Sequence, residues 1–300
     1  LYTAALAVKL LSRPEFAEHR AARDAWLNYL FARQLTEVNG WEHADKQYGG
    51  WGYYPFVPKK SKPGELVPAQ QLLESNLSAT LFALDAICIA TENLPEDDPH
   101  KPKLRDVGLA AWTFLSRRQN YTADATDWDD AFDDGGFAFI YDDPVRNKAG
   151  IAGPDKHGRT RFHSYGSATA DGLRALRLAW QLTGNSRFGY QDREDAARNW
   201  LVKRFSATEH PGTYTPALAP NRDAVYFYYA ASATKALAKS KVREIEGVHW
   251  AESFAEALLA RQQADGSWAN DVELVRENDP ILATCYAIQS LSTCLRNLPR

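Results

Sequence analysis

Five aspartates fall within eight residues in the stretch DWDDAFDDGGFAF, which spans positions 127 to 139. Carboxylates held close together raise one another's pKa values, so one of them could act as a general acid. The same oxygens could bind a hard cation such as Ca²⁺, although the spacing is not that of an EF-hand. A third interpretation is a solvated loop with Asp-Gly turn chemistry. Asp129, Asp130 and Asp134 are therefore candidate catalytic residues, and no metal site is assigned.

His163 is the fourth candidate catalytic residue, because it is the best placed of the seven histidines for acid/base work. The sequence shows no fixed partner for its imidazole, and Ser164 after it is explained by an ordinary helix N-cap. Aromatic and polar residues near predicted helix starts are candidate ligand-binding residues. These are Tyr53, Tyr54, Tyr165, Tyr226, Phe227, Tyr228 and Asp279. The alternatives are plain packing for the aromatic residues and an N-terminal helix cap before Pro280 for Asp279.

Repeated apolar helices are the elements that must position these residues. Segments 79–87, 168–176 and 283–291 align without gaps, 229–237 fits loosely, and 3–11 is a plausible fifth. Each segment carries apolar and small residues all round, which predicts a helix buried on more than one side. The run Tyr226-Phe227-Tyr228-Tyr229 opens one of these helices. Four consecutive aromatic residues cannot all face one way, so some should reach a cavity and others the core.

Amphipathic helices alternate with the apolar ones. Segments 21–34, 109–120, 194–205 and 250–263 have apolar residues at i, i+3, i+4 and i+7 with charged residues between them. Each is followed by a glycine-aromatic turn, in which glycine permits positive φ and the aromatic ring fixes the turn. The turns lie at 47–52, 133–138, 211–214 and 264–269.

The order of apolar helix, amphipathic helix and turn predicts an all-α protein of helix pairs. Strongly apolar helices favour a closed ring over a solenoid, because a solenoid would leave one of their faces wet. We therefore predict a single α/α-toroid domain over residues 1–300, with long loops at 41–74 and 120–163 that are expected to be functional or disordered. A six-pair ring needs more helices than these nine, so part of the N-terminal region is expected to precede Leu1.

The composition excludes several classes of protein. The net charge of −3 gives no reason to expect nucleic acid as a partner. The apolar runs fall short of the roughly 20 residues that span a bilayer. Three cysteines form no disulfide framework. We therefore expect a soluble protein, and export to the periplasm stays open because the chain starts at Leu1 without a methionine.

The turn Gln262-Gln263-Ala264-Asp265-Gly266-Ser267-Trp268 resembles the QW motif of triterpene cyclases, Q-x-x-D-G-x-W. Gly135 to Phe139 resembles a stretch of squalene–hopene cyclases. With the alternating helices, the chain resembles the prenyltransferase and squalene-oxidase repeat superfamily. The resemblance implies an α/α toroid whose inner helices surround an apolar, aromatic-lined cavity, and a small apolar or isoprenoid ligand.

The catalytic signatures of that superfamily are absent from the matching positions. Class II cyclases carry their acid in Asp-x-Asp-Asp-Thr-Ala, whose Thr-Ala matches Thr169-Ala170. The four acid positions then fall on Tyr165 to Ala168, where there is no carboxylate. No cysteine follows an aspartate in the Asp-x-Cys pattern of the protein prenyltransferase zinc site, and the Gly-Cys-Gly-Glu-Gln thioester motif is missing. We therefore expect no cofactor.

Three functions follow as hypotheses. The preferred one is a binding module for an apolar ligand or a partner, without protonation-initiated cyclase activity. The second is an isoprenoid cyclase-like enzyme with a non-standard acid from the 127–134 loop. The third is a carbohydrate-active hydrolase or lyase, in which Asp130 or Asp134 would pair with Glu74 or Asp279 across a cleft.

Overall fold

The computed structural model describes residues 1–62, 64–65, 69–141, 143, 145–184 and 189–299. This part of the chain is mostly helical, with ten α-helices, 51% helix and two short antiparallel hairpins. It divides into two compact units. Unit 1 comprises Leu1–Gln119, Phe139–Tyr141 and Ala175–Gln191, and unit 2 comprises Asn120–Ala138, Asp142–Arg174 and Asp192–Arg300. The mostly helical class is confirmed, and the toroid and the single domain stay predictions.

Four helices lie wholly in unit 1. They are α1 (Tyr2–Leu11), α2 (Arg20–Phe31), α3 (Leu77–Thr91) and α4 (Lys101–Arg118). Helix α1 packs against α2 and α3, and α3 also contacts α4. Of the 15 residues in α3, 12 are buried, and they include serine and threonine as well as alanine and leucine. The prediction of a helix buried on more than one side is confirmed for α3.

Helices α5 (Gly166–Leu182) and α6 (Tyr190–Lys203) contribute residues to both units. Four more helices belong to unit 2: α7 (Ala219–Asp223), α8 (Tyr226–Lys239), α9 (Trp250–Leu259) and α10 (Pro280–Leu295). Helix α8 packs against α10, and α9 contacts both. All nine predicted segments lie in helices or overlap them, and only the short α7 was not predicted.

Two hairpins in unit 2 were also not predicted. Strand β1 (Ile151–Pro154) pairs with β2 (Thr160–Phe162), and β3 (Glu244–Ile245) pairs with β4 (Val248–His249). Between β1 and β2, the carboxylate of Asp155 accepts the N–H groups of His157 and Arg159 at 2.9 and 3.0 Å. Strands of two to four residues are too short for an alternating pattern of apolar and polar residues to reveal them. The turn at Asp155 was the sequence signal that could have indicated the first hairpin.

Helix α10 departs from the predicted burial. Only five of its 16 residues are buried, and Ile281, Ile288 and Leu295 are 77%, 56% and 73% exposed. Their seven-residue spacing places them on one side of the helix. No described element covers that side, so the prediction of burial on more than one face was wrong for α10.

Three of the glycine-aromatic turns share one geometry. The glycine two residues before the aromatic has a left-handed φ: +86° at Gly49, +84° at Gly135 and +87° at Gly266. The backbone N–H of the aromatic donates to a threonine hydroxyl on the next apolar helix: Trp51 to Thr80 at 3.1 Å, Phe137 to Thr169 at 3.1 Å, and Trp268 to Thr284 at 3.0 Å. These turn–threonine contacts fall at the same position of the three segments that align without gaps. The sequence repeat is therefore also a repeat of structure.

Two of these turns also hold the end of the preceding amphipathic helix. The indole N–H of Trp51 donates to the carbonyl of Leu30 at 2.8 Å, and that of Trp268 donates to Leu258 at 2.8 Å. The side-chain amides of Gln34 and Gln262 donate to the carbonyls of the left-handed glycines of the same two turns, both at 2.9 Å. The residues that resemble the QW motif therefore join the end of one helix to the start of the next.

Candidate functional site

The first half of the acidic stretch forms surface turn contacts. Hydrogen bonds from His157 and Lys156 lower the pKa of Asp127 to about 2. Asp129 accepts the N–H of Ala131 at 3.1 Å, and Asp130 accepts the indole N–H of Trp128 at 2.7 Å. Each carboxylate thus has a local donor, and none is directed toward a cavity by these contacts.

The second half of the stretch stabilises a turn. Asp133 is buried and bonds to Arg161 at 2.9 Å. Asp134 accepts from the Ser164 hydroxyl at 2.7 Å, the Gly136 N–H at 3.0 Å and the Trp200 indole at 2.8 Å. Within the described ranges, no three His, Cys, Asp or Glu side chains are arranged to hold a metal ion. The contacts fit the turn interpretation of this stretch best.

His163 is half-buried beside this turn. Its backbone N–H donates to the carbonyl of Gly150 at 3.1 Å, which joins it to the residue before β1. Burial lowers the pKa of its imidazole, and the charge of Asp134 opposes that shift. A lowered pKa favours the neutral ring, in which one nitrogen can accept a proton and the other carries an N–H.

The start of α5 is closed by a histidine that no sequence pattern indicated. His210 is 2% exposed, and its Nε2 accepts the N–H of Ser167 at 2.9 Å. Burial lowers the pKa of His210 to about 3, so the ring is neutral and its proton lies on Nδ1, 3.3 Å from the Tyr214 hydroxyl. Tyr165 packs edge-on against this ring and is buried. Tyr165 is therefore a core residue.

The start of α8 is closed by Glu277, which lies 1% exposed in the segment before α10. Its carboxylate accepts the N–H groups of Phe227 and Tyr228 at 2.9 and 2.7 Å. Burial raises the pKa of Glu277 to about 7, against the effect of these bonds. Asp279, two residues later, caps α10 by accepting the N–H of Ile281 at 2.9 Å. The cap interpretation of Asp279 is confirmed.

A cleft of about 400 Å³ lies in unit 2, between the start of α8 and the segments around 208–210 and 269–271. Its charged wall consists of Glu209, Arg222, Asp223, Arg261 and Asp271. The other side chains that define its polar and aromatic character are Thr208, His210, Tyr226, Phe227, Gln263 and Asn270. The candidate residues Tyr226 and Phe227 are thus brought together in one concave site.

The arginines of the cleft are held in place. Arg222 donates to Asp223 at 2.6 Å and lies 4.0 Å from Glu209, so one guanidinium serves two carboxylates. Arg261 donates to the carbonyls of Ala257 and Thr208, both at 2.8 Å, and its guanidinium lies 4.1 Å above the ring of Tyr226. A guanidinium carries five N–H groups, so each arginine keeps N–H groups for a ligand beyond those used in these contacts.

A second polar cluster joins α5 and α8 and was also missed. Asp171 is 2% exposed, and its carboxylate accepts from the hydroxyls of Tyr228, at 2.6 Å, and Ser232. Arg174 donates to Ser232 at 3.1 Å and lies 3.7 Å from Asp171. Burial raises the pKa of Asp171. The available signal was its position directly after the matched Thr169-Ala170 pair.

The remaining candidates lie in unit 1. The hydroxyl of Tyr53 donates to Asn76, which caps α3, at 3.0 Å, and lies 2.8 Å from the hydroxyl of Tyr2. Tyr54 packs edge-on against Phe56. Both tyrosines are half-buried, so Tyr53 orders the start of a helix and Tyr54 belongs to a surface aromatic pair.

Comparison with known proteins adds no assignment. Of the helices that the structure describes, none combines the length and the apolar character needed for a membrane span. A scan of the chain against protein-family models finds no matching family, and a search of curated proteins finds no matching relative.

Proposed function

We propose that the helix pairs form an α/α toroid of the squalene-cyclase-like repeat type and that the protein is a binding module whose ligand occupies the cleft of unit 2. The observation that carries the proposal is the cleft itself. Its volume of about 400 Å³ lies within the range of about 300–1,000 Å³ that is typical of small-molecule sites. The recurring turn–threonine contacts support the repeat assignment.

The walls of the cleft favour a polar ligand over the apolar one expected from the resemblance. Covering its five charged side chains with an apolar molecule would remove them from water without offering them new hydrogen bonds, which is costly. Arg222 bonds to Asp223 at 2.6 Å and lies 4.0 Å from Glu209, so a guanidinium stands beside both carboxylates. The binding-module hypothesis is therefore kept, with a polar ligand.

A calorimetric screen of small polar metabolites tests this proposal. Arg261→Gln removes one planar donor of the cleft, and Lys239→Gln at the exposed end of α8 is the matched control. We expect a ligand whose affinity falls at least tenfold in Arg261→Gln and is unchanged in Lys239→Gln. Equal affinities in both variants would place the ligand elsewhere and contradict the proposal.

Acid-initiated cyclisation of an isoprenoid is a second candidate function, favoured by one observation. Asp171 is a buried carboxyl on an apolar helix, its pKa is raised by burial, and the half-exposed Tyr228 bonds to it. The proposed acid is thus Asp171 instead of a residue of the 127–134 loop. Incubation with squalene followed by mass spectrometry should give a product that Asp171→Asn abolishes and Asp130→Asn leaves. Absence of a product from the unaltered protein would count against this candidate.

A further inference from the structure

The charges of the cleft are close to balance. Arg222 and Arg261 supply two positive charges, while Glu209, Asp223 and Asp271 supply three negative ones, and His210 is neutral. An anionic ligand would therefore meet three carboxylates, and a cationic ligand would meet two guanidinium groups. The net charge of these walls is only one, so neither an anionic nor a cationic ligand is strongly attracted. A neutral ligand avoids both repulsions.

The charged side chains of the cleft include both donors and acceptors. Guanidinium groups only donate and ionised carboxylates only accept, and both present two atoms in one plane. Arg222 donates to Asp223 through two bonds, Nε to Oδ1 at 2.6 Å and Nη2 to Oδ2 at 3.2 Å, which leaves the Nη1 group of Arg222 and the second lone pairs of the Asp223 oxygens adjacent to each other. Neighbouring hydroxyl groups on one ring can accept from that Nη1 group and donate to those lone pairs.

The site is also ordered before a ligand arrives. The side chain of Asn270 donates to the carbonyl of Asp223 at 2.7 Å and accepts the N–H of Val272 at 3.1 Å. Arg261 is fixed by two carbonyls and the ring of Tyr226. Groups that are already immobilised lose little conformational entropy on binding. The buried rings of Tyr226 and Phe227 leave only a small apolar wall, which suits a hydrophilic molecule.

From this arrangement we propose that the cleft of unit 2 binds a neutral saccharide, through paired contacts of adjacent hydroxyls with the Arg222–Asp223 pair and with Arg261. This inference rests on the proposed binding function and names its ligand class. A saccharide ring supplies adjacent hydroxyls that both donate and accept, and it carries no charge that the walls would repel.

The test compares ligands that share one ring and differ in charge. Binding of glucose, glucuronic acid and glucosamine, and of a panel of neutral pentoses, hexoses and disaccharides, is measured by calorimetry at neutral pH. We expect at least one neutral sugar to bind at least tenfold more tightly than its acidic and amino counterparts. Asp223→Asn and Arg222→Gln should each weaken that binding at least fivefold, and Lys239→Gln should leave it unchanged. Circular dichroism of each variant verifies the fold.

The outcomes separate this inference from the function on which it rests. If a charged sugar or another polar metabolite binds the cleft while neutral sugars do not, the binding function stands and the saccharide class is overturned. If neutral sugars bind equally well to Asp223→Asn and Arg222→Gln, the cleft is not their site and the inference fails. If no polar molecule binds at all, both proposals fail.

Discussion

At the scale of single residues, carboxylates and one imidazole close the starts of helices and turns. The first N–H groups of a helix have no partner within it, and an acceptor from elsewhere satisfies them. Glu277 does this for α8, His210 for α5 and Asp279 for α10. Asp134 does the same for a turn by accepting the N–H of Gly136. Of these four side chains, only Asp134 was a candidate catalytic residue, and its contacts here are those of a turn cap.

The buried Glu277 makes stability depend on pH. Its pKa of about 7 in the folded protein lies above the unfolded value of 4.5, so its contribution is complete below pH 4.5 and is lost as the pH rises through about 7. We expect the free energy of unfolding of Glu277→Gln, relative to the unaltered protein, to rise by up to about 3 kcal/mol between pH 4.5 and pH 8. Urea denaturation at several pH values measures this difference.

The same substitution at the exposed Glu256 of α9 is the control for Glu277→Gln. A constant offset between Glu277→Gln and the unaltered protein across this pH range would mean that Glu277 stays ionised in the fold.

Contacts between residues that are close in the sequence could be predicted, and contacts between residues far apart in the sequence could not. Asp279 could be predicted as a cap because Pro280 follows it directly. Glu277 bonds to a residue 50 positions away and His210 to one 43 positions away, so no local pattern shows either contact. Asp171 stood beside a recognised pair, but its partner Tyr228 is 57 positions away and comes near only when the helices pack.

At the scale of elements, the helices could be predicted because their apolar periodicity is a local pattern. Two turn glycines cannot be distinguished in this way, because they differ only in the atoms packed around them. Gly49 and Gly266 have nearly equal φ values of +86° and +87°. A Cβ on Gly49 would lie 1.8 Å from the carbonyl oxygen of Ala110, whereas a Cβ on Gly266 would find only the end of Gln262, at 3.9 Å. The two turns are alike in conformation and differ in packing.

Alanine substitution separates these two effects. The left-handed conformation costs an alanine about 1–2 kcal/mol at either position. The clash at Gly49 adds the cost of a forced backbone shift, about 1–3 kcal/mol or more. We therefore expect Gly49→Ala to lower the free energy of unfolding by at least about 2 kcal/mol, and Gly266→Ala by about 1 kcal/mol. Chemical denaturation of both variants measures this, and equal losses would show that Gly49 is not tightly packed.

At the scale of the whole molecule, burial is uneven across the apolar helices. Helix α3 is buried on nearly all sides, while α10 exposes a stripe of Ile281, Ile288 and Leu295. Composition alone could not distinguish the two helices, because both are apolar. The difference depends on which neighbours each helix has, and that is a property of the assembled chain.

Neighbouring positions on α10 should therefore respond in opposite ways to a charge. Ile288 is 56% exposed and Ala287 is fully buried. We expect Ile288→Lys to change the free energy of unfolding by no more than about 0.5 kcal/mol, as at other surface positions. Ala287→Lys buries an unpaired charge and should cost about 3 kcal/mol or more. A large loss in Ile288→Lys, measured by urea denaturation, would mean that this side of α10 is covered in solution.

The turn–threonine contacts have a consequence for how such a chain can grow. Their two partners lie 29, 32 and 16 residues apart, so the same bond forms across connecting segments of quite different length. In each case both partners lie within one continuous stretch of sequence. A duplicated gene segment would carry donor and acceptor together, so the new copy would bring its own turn–threonine contact. The segments between the two partners can then change in length and sequence without breaking the contact. The repeat architecture and the loop sequences can therefore evolve separately.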